Sequence, residues 1–596
     1  MRFTGERKDY RVSVMRQMLF LLPLIVILFA MFSTIVDSTA VYAKEKKESD
    51  DVAEEETALI PPTLRKSSVT LYTGWENYEI FIDDLDEEST VTFKSTNKKI
   101  AKVDEDGIVT PVKKGKAKIK VVIKDKDGKK TKLVLEVKVK DPYCEVTDSN
   151  DSLTTHGDYT FKLKRYGNAE EVIWKLDGSQ YASIEAVSDT DCRISGVASG
   201  DVTLSVVCGD FEESFDIHVY EGTGTAFKIT PAKLPYKGNY VTRSEYNEYT
   251  KDYFTVRSYL ERLSTLGGGL LIFAEGTYHI TNTLCIPSNT TILMEDGSTI
   301  VKSDYTGTSW LTATQSLFQT VSYSHTQTPF TEYNGEHDIA IIGQGSATID
   351  LNFVKSNAIT AAHCKNLTIT GIAFRNLNSL HFIELDAAKD VEITGNLFST
   401  CVESPTQRKE AINIDTPDAE THGFAQGWTS YDRTPVLNVS ICDNVFENLE
   451  TAIGTHKYSE GMYHTNITIE RNTFADVSNY VVRMMNWKDC SVSDNYFILT
   501  QGPAEDKVVN AVILNGAVNP TVTGNRFVGF TTAIRCAHWK NSGSGKIYAE
   551  TYNELSKANL RAMKDNEAVD CTNDYFEVYT VFGDNTDENL KTYKFN

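Results

Sequence analysis

One short pattern of apolar and polar positions recurs between Leu367 and Phe527. Its copies read ITGIAF, ITGNLF, ICDNVF, IERNTF, VSDNYF and VTGNRF, with a phenylalanine two residues after the turn residue that is usually asparagine. These asparagines are Asn396, Asn444, Asn472, Asn495 and Asn525. They lie 48, 28, 23 and 30 residues apart, so the period is near 24 with one interval of double length. This repeat predicts a parallel β-solenoid, in which each coil buries its apolar face against the next.

The segments before the solenoid alternate with a period of two. Runs such as STVTFKS, AKIKVVIK and KLVLEVKVK predict an antiparallel β-sandwich over residues 66–140, and a weaker copy is predicted over 142–221. Apolar residues three to four apart within 250–267 predict one helix, which we expect to plug the open end of the solenoid. The solenoid is predicted over 225–540, followed at 541–596 by a cap with one helix and short strands.

The N-terminal segment is a targeting signal or an anchor. Residues 1–43 contain a basic head, an apolar run and a small-residue site that ends at Ala43. Residues 44–65 are charged, end near a double proline, and are predicted to be a disordered linker. We therefore expect a secreted or cell-surface bacterial protein, with membrane or cell-wall attachment through the N-terminus as one outcome.

The net charge and the cysteine pattern restrict the kinds of ligand and metal site that the sequence predicts. The chain has 596 residues and a net charge of -22, so nucleic acid is an unsuitable partner, and so is a strongly anionic polysaccharide unless calcium bridges it. The ten cysteines occur singly without a CxxC pair, which predicts buried thiols rather than a zinc site or a dense disulfide frame. No metal or other cofactor is expected, apart from calcium if the chain is a polysaccharide lyase.

Two segments resemble known families and make the prediction of the fold more specific. The segment KSTNKKIAKVDEDGIVTPVKKGKAKIKV resembles the bacterial Ig-like group 2 domain, whose modules serve in adhesion and wall display or as spacers. The phrases GGGLLIFAEGTYHITNTLCIPSNTTILMEDGSTI and HDIAIIGQGSATIDLN resemble the opening coils of the pectate-lyase-like superfamily, which includes polygalacturonases. Together they imply an all-β chain with a right-handed parallel β-helix after two Ig-like domains. The β-helix resemblance also implies a polysaccharide or oligosaccharide substrate.

A second strand in each coil carries the candidate chemistry. Side chains alternate faces along a strand, and adjacent coils stack ~4.8 Å apart. We align as inward residues Ile383, Ile412, Ile453, Val482, Ile513 and Ile534. Two outward rows result. The first contains Glu384, Asn413, Gly454, Arg483, Leu514 and Arg535, and the second contains Asp386, Asp415, His456, Met485, Gly516 and Ala537. A row two residues earlier contains His381 and Glu410. Stacked carboxylates repel and push one pKa upward, as an acid/base pair requires, whereas a solvated polar face is the alternative.

The double-length interval places a long loop beside these acids. Residues 416–435 follow Asp415 directly and carry Phe424, Trp428 and Tyr431. Flat aromatic faces next to carboxylates suit a sugar ring, so we expect the loop to form one wall of a cleft. The alternative is a surface loop that packs its aromatic residues on the solenoid. The aromatic insertion 309–335 is a candidate second wall whose side of the solenoid the sequence does not assign.

Three partial motifs resemble the polygalacturonase pattern in order along the chain. They are Asn413-Ile414-Asp415, Gly454-Thr455-His456 and Arg483-Met484-Met485. The pattern's adjacent Asp-Asp pair is absent, Lys457 replaces the glycine after the histidine, and Met485 replaces a lysine that would hold uronate carboxylates. We therefore expect a neutral or mixed glycan rather than pectin.

Three functions are consistent with this sequence. The first is a glycoside hydrolase, the second is a calcium-dependent polysaccharide lyase in which Lys457 or Arg483 abstracts a proton, and the third is a noncatalytic glycan-binding adhesin. For the hydrolase we predict Asp386 and Asp415 as the acid and the base or nucleophile. The residues predicted to tune or orient them are Glu410, His456 and Arg483. The residues predicted to bind substrate are His381, Glu384, Asn413, Trp428, Tyr431 and Lys457.

Overall fold

The structure is a computed structural model that describes residues 60–596 except 169, 404–408, 505–506, 541–549 and 581–588. The predicted signal or anchor, 1–43, and most of the predicted linker lie outside these residues. None of the helices in the described part of the chain is long and apolar enough to cross a bilayer. Contacts divide the chain into two compact units, each described by itself. Their described residues are 60–67, 80–94 and 120–135 for the first, and 68–79, 95–119 and 136–596 for the second.

Short strands make up the N-terminal part of the chain. Those before residue 141 are Thr63–Leu64, Ser68–Tyr72, Tyr78–Glu79, Ile82–Asp83, Thr90–Ser95, Ala101–Val103, Ile108–Pro111, Gly115–Lys124 and Lys130–Lys140. The next eight form two four-stranded sheets. In spatial order these are Tyr143–Asp148, Asp158–Tyr166, Asp191–Gly196 and Ala182–Ala186, and Ser152–His156, Phe211–Thr223, Gly200–Cys208 and Val172–Asp177. The inner faces of these two sheets bury Phe161, Ile194 and Leu204, as a β-sandwich requires.

Three long parallel sheets follow, and each coil contributes one strand to each of them. Sheet 1 contains Thr225–Ile229, Gly269–Phe273, Thr290–Met294, His337–Gly343, Lys365–Thr370, Lys389–Thr394, Leu437–Cys442, His464–Glu470, Trp487–Lys488, Ser491–Ser493 and Thr521–Thr523. Sheet 2 contains Gly276–Ile280, Ser298–Lys302, Thr348–Asp350, Ala373–Leu377, Leu397–Cys401, Val445–Glu447, Thr473–Ala475, Tyr496–Ile498, Arg526–Val528 and Glu567–Val569. Sheet 3 contains Leu284–Cys285, Ser316–Gln319, Asn357–Ala362, Ile383–Asp386, Glu410–Asp415, Thr451–Gly454, Tyr480–Met485, Asn510–Asn515, Thr532–Cys536, Tyr575–Tyr579 and, antiparallel at its end, Leu590–Lys594. The predicted parallel β-helix is confirmed.

Two internal ladders explain the repeated Asn-x-Phe phrase. Each repeat asparagine occupies the turn between sheets 1 and 2 and donates its side-chain amide to the next asparagine, at 2.8–3.1 Å, from Asn396 through to Asn566. The phenylalanines stack inside sheet 2 with centroids 4.7–4.9 Å apart, from Phe374 to Phe527. The asparagines satisfy buried turn amides while the phenylalanines fill the core, so the phrase specifies both the turn and the packing.

The two ends of the solenoid are closed by helices. Helix α1 (Lys251–Leu266) buries Val256, Leu260 and Leu263 in the solenoid core and ends at Gly267, whose φ of 85° is the left-handed C-cap conformation. The predicted plugging helix is confirmed. Helix α2 (Lys557–Lys564) begins with a capping box at Ser556, and the strands after it continue sheets 2 and 3. The solenoid therefore extends into the segment predicted as a separate cap.

The remaining elements are short. Two 3-10 turns lie at Tyr236–Gly238 and Tyr323–His325, and Trp539–Lys540 pairs antiparallel with Glu550–Thr551. All ten cysteines are free, and eight are buried while Cys401 and Cys571 are half-buried. The predicted buried thiols are thus largely confirmed.

Candidate functional site

Sheet 3 carries the predicted outward rows. Asp386 pairs with Asp415, and Glu384 pairs with Asn413, on adjacent strands. The predicted inward residue Ile513 is wrong, because Val482 pairs with Val512. The row of Arg483 therefore continues to Ile513 and Arg535, and Met485 pairs with Asn515 rather than Gly516. A register error of one residue exchanges the two faces of a strand.

A buried cluster forms where three successive coils bring His381, Glu410 and His456 together. Glu410 is fully buried, and its Oε2 lies 3.1 Å from Nδ1 of His456. The hydroxyl of Tyr480 donates to Oε1 of Glu410 at 2.7 Å, and Nδ1 of His381 donates to the Glu410 carbonyl oxygen at 2.5 Å. The two imidazole rings stack with centroids 5.6 Å apart. Three side chains from three other coils are thus held around Glu410.

The charges in this cluster are fixed by burial and by their neighbours. Burial lowers the pKa of His381 to about 3, so its ring is neutral at physiological pH. Burial alone would raise the pKa of Glu410, but the charge and hydrogen bond of His456 hold it well below its usual range. Burial alone would lower the pKa of His456, yet Asp415 and Glu410 raise it. These neighbours therefore favour the ionised form of Glu410 and the protonated form of His456.

Asp386 and Asp415 stack as predicted but differ in their hydrogen bonds. Oδ1 of Asp415 accepts the backbone N–H groups of His456 at 3.0 Å and Lys457 at 2.9 Å, and its Oδ2 lies 3.6 Å from Nε2 of His456. Neither carboxyl oxygen of Asp386 has a hydrogen-bond partner among the described residues. Burial and then the charges of Glu384 and Asp415 raise the pKa of Asp386 well above its usual range. Burial and these neighbouring charges therefore favour the neutral form of the Asp386 carboxyl group.

Glu384 and Asn413 form the neighbouring polar row, on the same two strands as Asp386 and Asp415. Glu384 is partly exposed and accepts a hydrogen bond from the side-chain amide of Asn357. Burial and the charge of Asp415 raise the pKa of Glu384 to about 7. Both polar atoms of the buried Asn413 side chain lack a hydrogen-bond partner within the described residues. Gly454 is the next residue in that row, and the Asn413 amide, which is 1% exposed, is enclosed there.

Two predicted basic residues have partners elsewhere. Nε of Arg483 donates to Asn515 at 3.1 Å, and its guanidinium lies 4.3 Å from the ring centroid of Trp539. Among the described residues, Arg483 makes no hydrogen bond or ion pair with Asp386, Asp415 or Glu410. Nζ of Lys457 donates to the backbone carbonyl of His422 in the long loop, while its backbone supports Asp415. Neither basic group is placed as the base of a lyase.

The long loop after Asp415 packs its aromatic residues inward. Trp428 is 1% exposed and contacts Phe424 at a centroid distance of 4.9 Å, in an apolar cluster with Val321 and Ala362. Neither face of this indole is open to a sugar ring, contrary to our expectation. Tyr431 is 37% exposed and keeps an accessible ring. The loop also pairs with the insertion 309–335 through Phe330 and Thr429, which places the two insertions side by side.

Two residues of the cluster were missed. Asn357 and Tyr480 belong to the same row as His381 and Glu410, two residues before the inward residue of each strand. Extending that row in both directions would have found them. Tyr480 reaches Glu410 across Thr451, whose side chain is small enough to leave the path open.

Comparisons with known proteins match parts of the chain. The family model for the bacterial Ig-like domain (group 2) matches residues 83–134. The chain is 24% identical over 260 residues to the plasmin and fibronectin-binding protein A of Streptococcus pneumoniae. That match covers 39% of this chain and 35% of the relative, so it spans about a third of the relative's length.

Solved structures give distant likenesses. A crystal structure of PfbA, a surface adhesin of Streptococcus pneumoniae, is 19% identical and matches 49% of this chain and 76% of that chain, with a TM-score of 0.36. Another structure of this surface protein and adhesin is 18% identical and matches 54% and 85%, with a TM-score of 0.37. At these scores the likeness carries no conclusion on function.

Proposed function

We propose that the chain is a bacterial surface protein whose solenoid binds a host protein without cleaving a glycan. The name of the relative from Streptococcus pneumoniae makes plasmin and fibronectin the first ligands to test. An Ig-like module ahead of the solenoid and the predicted N-terminal signal or anchor are in keeping with display outside the cell.

The observation that carries this proposal is the burial of the carboxylates that hydrolysis was expected to use. The side chain of Asp386 is fully buried and that of Asp415 is 3% exposed. A general acid must come within ~2.6–3.2 Å of the leaving oxygen, and a glycosidic oxygen cannot approach a covered carboxyl group so closely. The Asp386/Asp415 pair is therefore a covered pair on the outer face of sheet 3 and is poorly suited to catalysis.

Exposed aromatic side chains near the N-terminal end of the solenoid offer a docking surface for a protein. Tyr249 and Tyr305 contact each other at 4.8 Å, and Tyr305 is 60% exposed. Trp310, five residues further along, is 80% exposed. Large aromatic residues are enriched in protein interfaces and contribute much of their binding energy. We place the contact with the host protein at this surface.

Binding of the full chain to immobilised fibronectin and plasmin tests the proposal. We expect saturable binding that survives high salt, since contact through aromatic groups is not screened as charge attraction is. Trp310→Ala should weaken it ~10- to 100-fold without lowering Tm, because this side chain is exposed. Tyr552→Ala is the control, because Tyr552 is a half-exposed aromatic residue near the other end of the solenoid. Absence of saturable binding to both proteins would refute the proposal.

Glycoside hydrolysis is a second candidate, favoured by Glu384. Its carboxyl group is partly exposed and has a pKa of about 7, as a general acid needs, and it lies one coil from Asp415. If the chain hydrolyses a glycan, Glu384→Gln should reduce the release of reducing ends ~100-fold or more. A screen of host and plant glycans that releases no reducing ends from the unmodified chain removes this candidate.

A further inference from the structure

His381, Glu410 and His456 bring three possible ligand atoms close together. One atom from each residue lies within 4.8 Å of the others. Oε2 of Glu410 and Nδ1 of His456 are 3.1 Å apart, slightly closer than two ligands of one tetrahedral ion at ~2.0–2.2 Å. Because Nδ1 of His381 donates to the Glu410 carbonyl oxygen, its Nε2 carries the free lone pair.

Each of these ligands is oriented by a further contact. The hydroxyl of Tyr480 donates to the second oxygen of Glu410, which leaves Oε2 to face the two histidines. Nε2 of His456 lies 3.6 Å from Oδ2 of Asp415, so a His456 bound to metal through Nδ1 would direct its remaining N–H at a carboxylate. Histidine ligands of metals almost always donate their second N–H to a carboxylate or a carbonyl oxygen. His381 meets that requirement through the Glu410 carbonyl oxygen, whereas Nε2 of His456 lies just beyond hydrogen-bond distance of Asp415.

We infer that His381, Glu410 and His456 bind one divalent transition-metal ion of the zinc class. Two imidazoles and one carboxylate suit zinc and its neighbours better than calcium, which prefers six to eight oxygen ligands. The three ligands leave one coordination position for water or a ligand group. The side chain of His456 is 23% exposed, so that position has a route to solvent. This inference rests on neither adhesion nor hydrolysis.

Zinc titration of the full chain, after removal of metals with a chelator, tests the inference. Calorimetry should give one zinc ion per chain, and Tm should rise with zinc because the ion binds the folded chain. Cobalt in place of zinc should give the visible absorption of a low-coordinate nitrogen and oxygen site. Glu410→Gln and His381→Ala should each weaken binding by more than the ~10- to 100-fold that loss of an outer hydrogen bond causes. Tyr480→Phe should weaken it within that smaller range.

A control separates this site from exposed histidines that bind zinc weakly. His337, which lies 2.6 Å from Asp338 at the surface, is the control position, and His337→Gln should keep full affinity for one ion. Circular dichroism and Tm establish that each variant is folded. If a variant of a metal-binding residue does not fold, the zinc affinity of Tyr480→Phe still tests the inference. Lack of a stoichiometric ion in the unmodified chain, or binding unchanged in all three cluster variants, would overturn the inference.

Discussion

Replacing Glu384 with glutamine should change how stability depends on pH. The pKa of Glu384 is raised from 4.5 to about 7 by burial and by the charge of Asp415. Below about pH 4.5 the carboxyl group is protonated in both the folded and the unfolded chain, so Glu384→Gln should change stability little. Between about pH 4.5 and 7 the unfolded chain loses this proton while the folded chain keeps it. The contribution of Glu384 to the free energy of unfolding is therefore lost as pH rises.

The size of the effect follows from the shift. About 2.5 pH units at ~1.4 kcal/mol each gives ~3 kcal/mol as an upper bound, because Glu384 is partly exposed and interacts with two other acids. Glu384→Gln should thus be more stable than the unmodified chain above about pH 8 by as much as ~3 kcal/mol. Glutamine retains an oxygen that can accept the hydrogen bond from Asn357, so the geometry is preserved.

Urea unfolding followed by tryptophan fluorescence, at about pH 4 and about pH 8, measures the difference. Glu392→Gln is the matched control, because it makes the same chemical change at an exposed position on sheet 1. The control should show no comparable gain at high pH. If Glu384→Gln and the unmodified chain differ equally at both pH values, or if the variant is the less stable at high pH, the raised pKa is refuted.

Three further predictions concern buried groups. Burial lowers the pKa of Lys302 to about 8, so Lys302→Met should be more stable than the unmodified chain at pH 7 in denaturant unfolding. This gain should shrink as pH rises from about 8 to 10.5, because the folded chain then no longer carries a buried charge. Trp428→Ala should lower the free energy of unfolding by ~3–5 kcal/mol and leave ligand binding unchanged; the reverse result would return this residue to a binding role. Asn472→Ala should lower the free energy of unfolding by ~3 kcal/mol or more in the same assay, because it leaves buried turn groups unpaired. The control Asn466→Ala, at an exposed position, should lower it far less, and equal losses would contradict the asparagine ladder.

The core was predictable because its chemistry repeats. An asparagine that pairs with the next asparagine and a phenylalanine that stacks on the next phenylalanine must recur in every coil, so both leave a periodic trace. The sixth asparagine of the ladder, Asn566, escaped because α2 and its turn intervene between it and Asn525. The strand Asn510–Asn515 was placed one residue out of register because Val512 and Ile513 are both apolar, and alternation alone does not choose between them.

The candidate site was predictable only in part, since its contacts do not repeat. The two aspartates were found because they occupy an outward row of known spacing, and His381 and Glu410 because they lie two residues before the inward residue of their strands. The partner of Arg483 was not, because Trp539 lies two coils further along and no pattern joins them. Trp428 was expected in a cleft wall because the sequence gives its place in a loop but not the direction in which the loop folds.

The difference between Asp386 and Asp415 arises from the backbone and not from the residue type. The chain leaves sheet 3 after Gly454 and turns so that two successive N–H groups, those of His456 and Lys457, point at Asp415. Asp386 faces no such turn, and burial and neighbouring charges oppose ionisation of its carboxyl group. A neutral buried acid cannot serve as nucleophile or base, and a fully buried one cannot donate its proton to a substrate. The chemistry open to this face therefore belongs to Glu384 and to the cluster around Glu410, which are the groups that the proposed variants change.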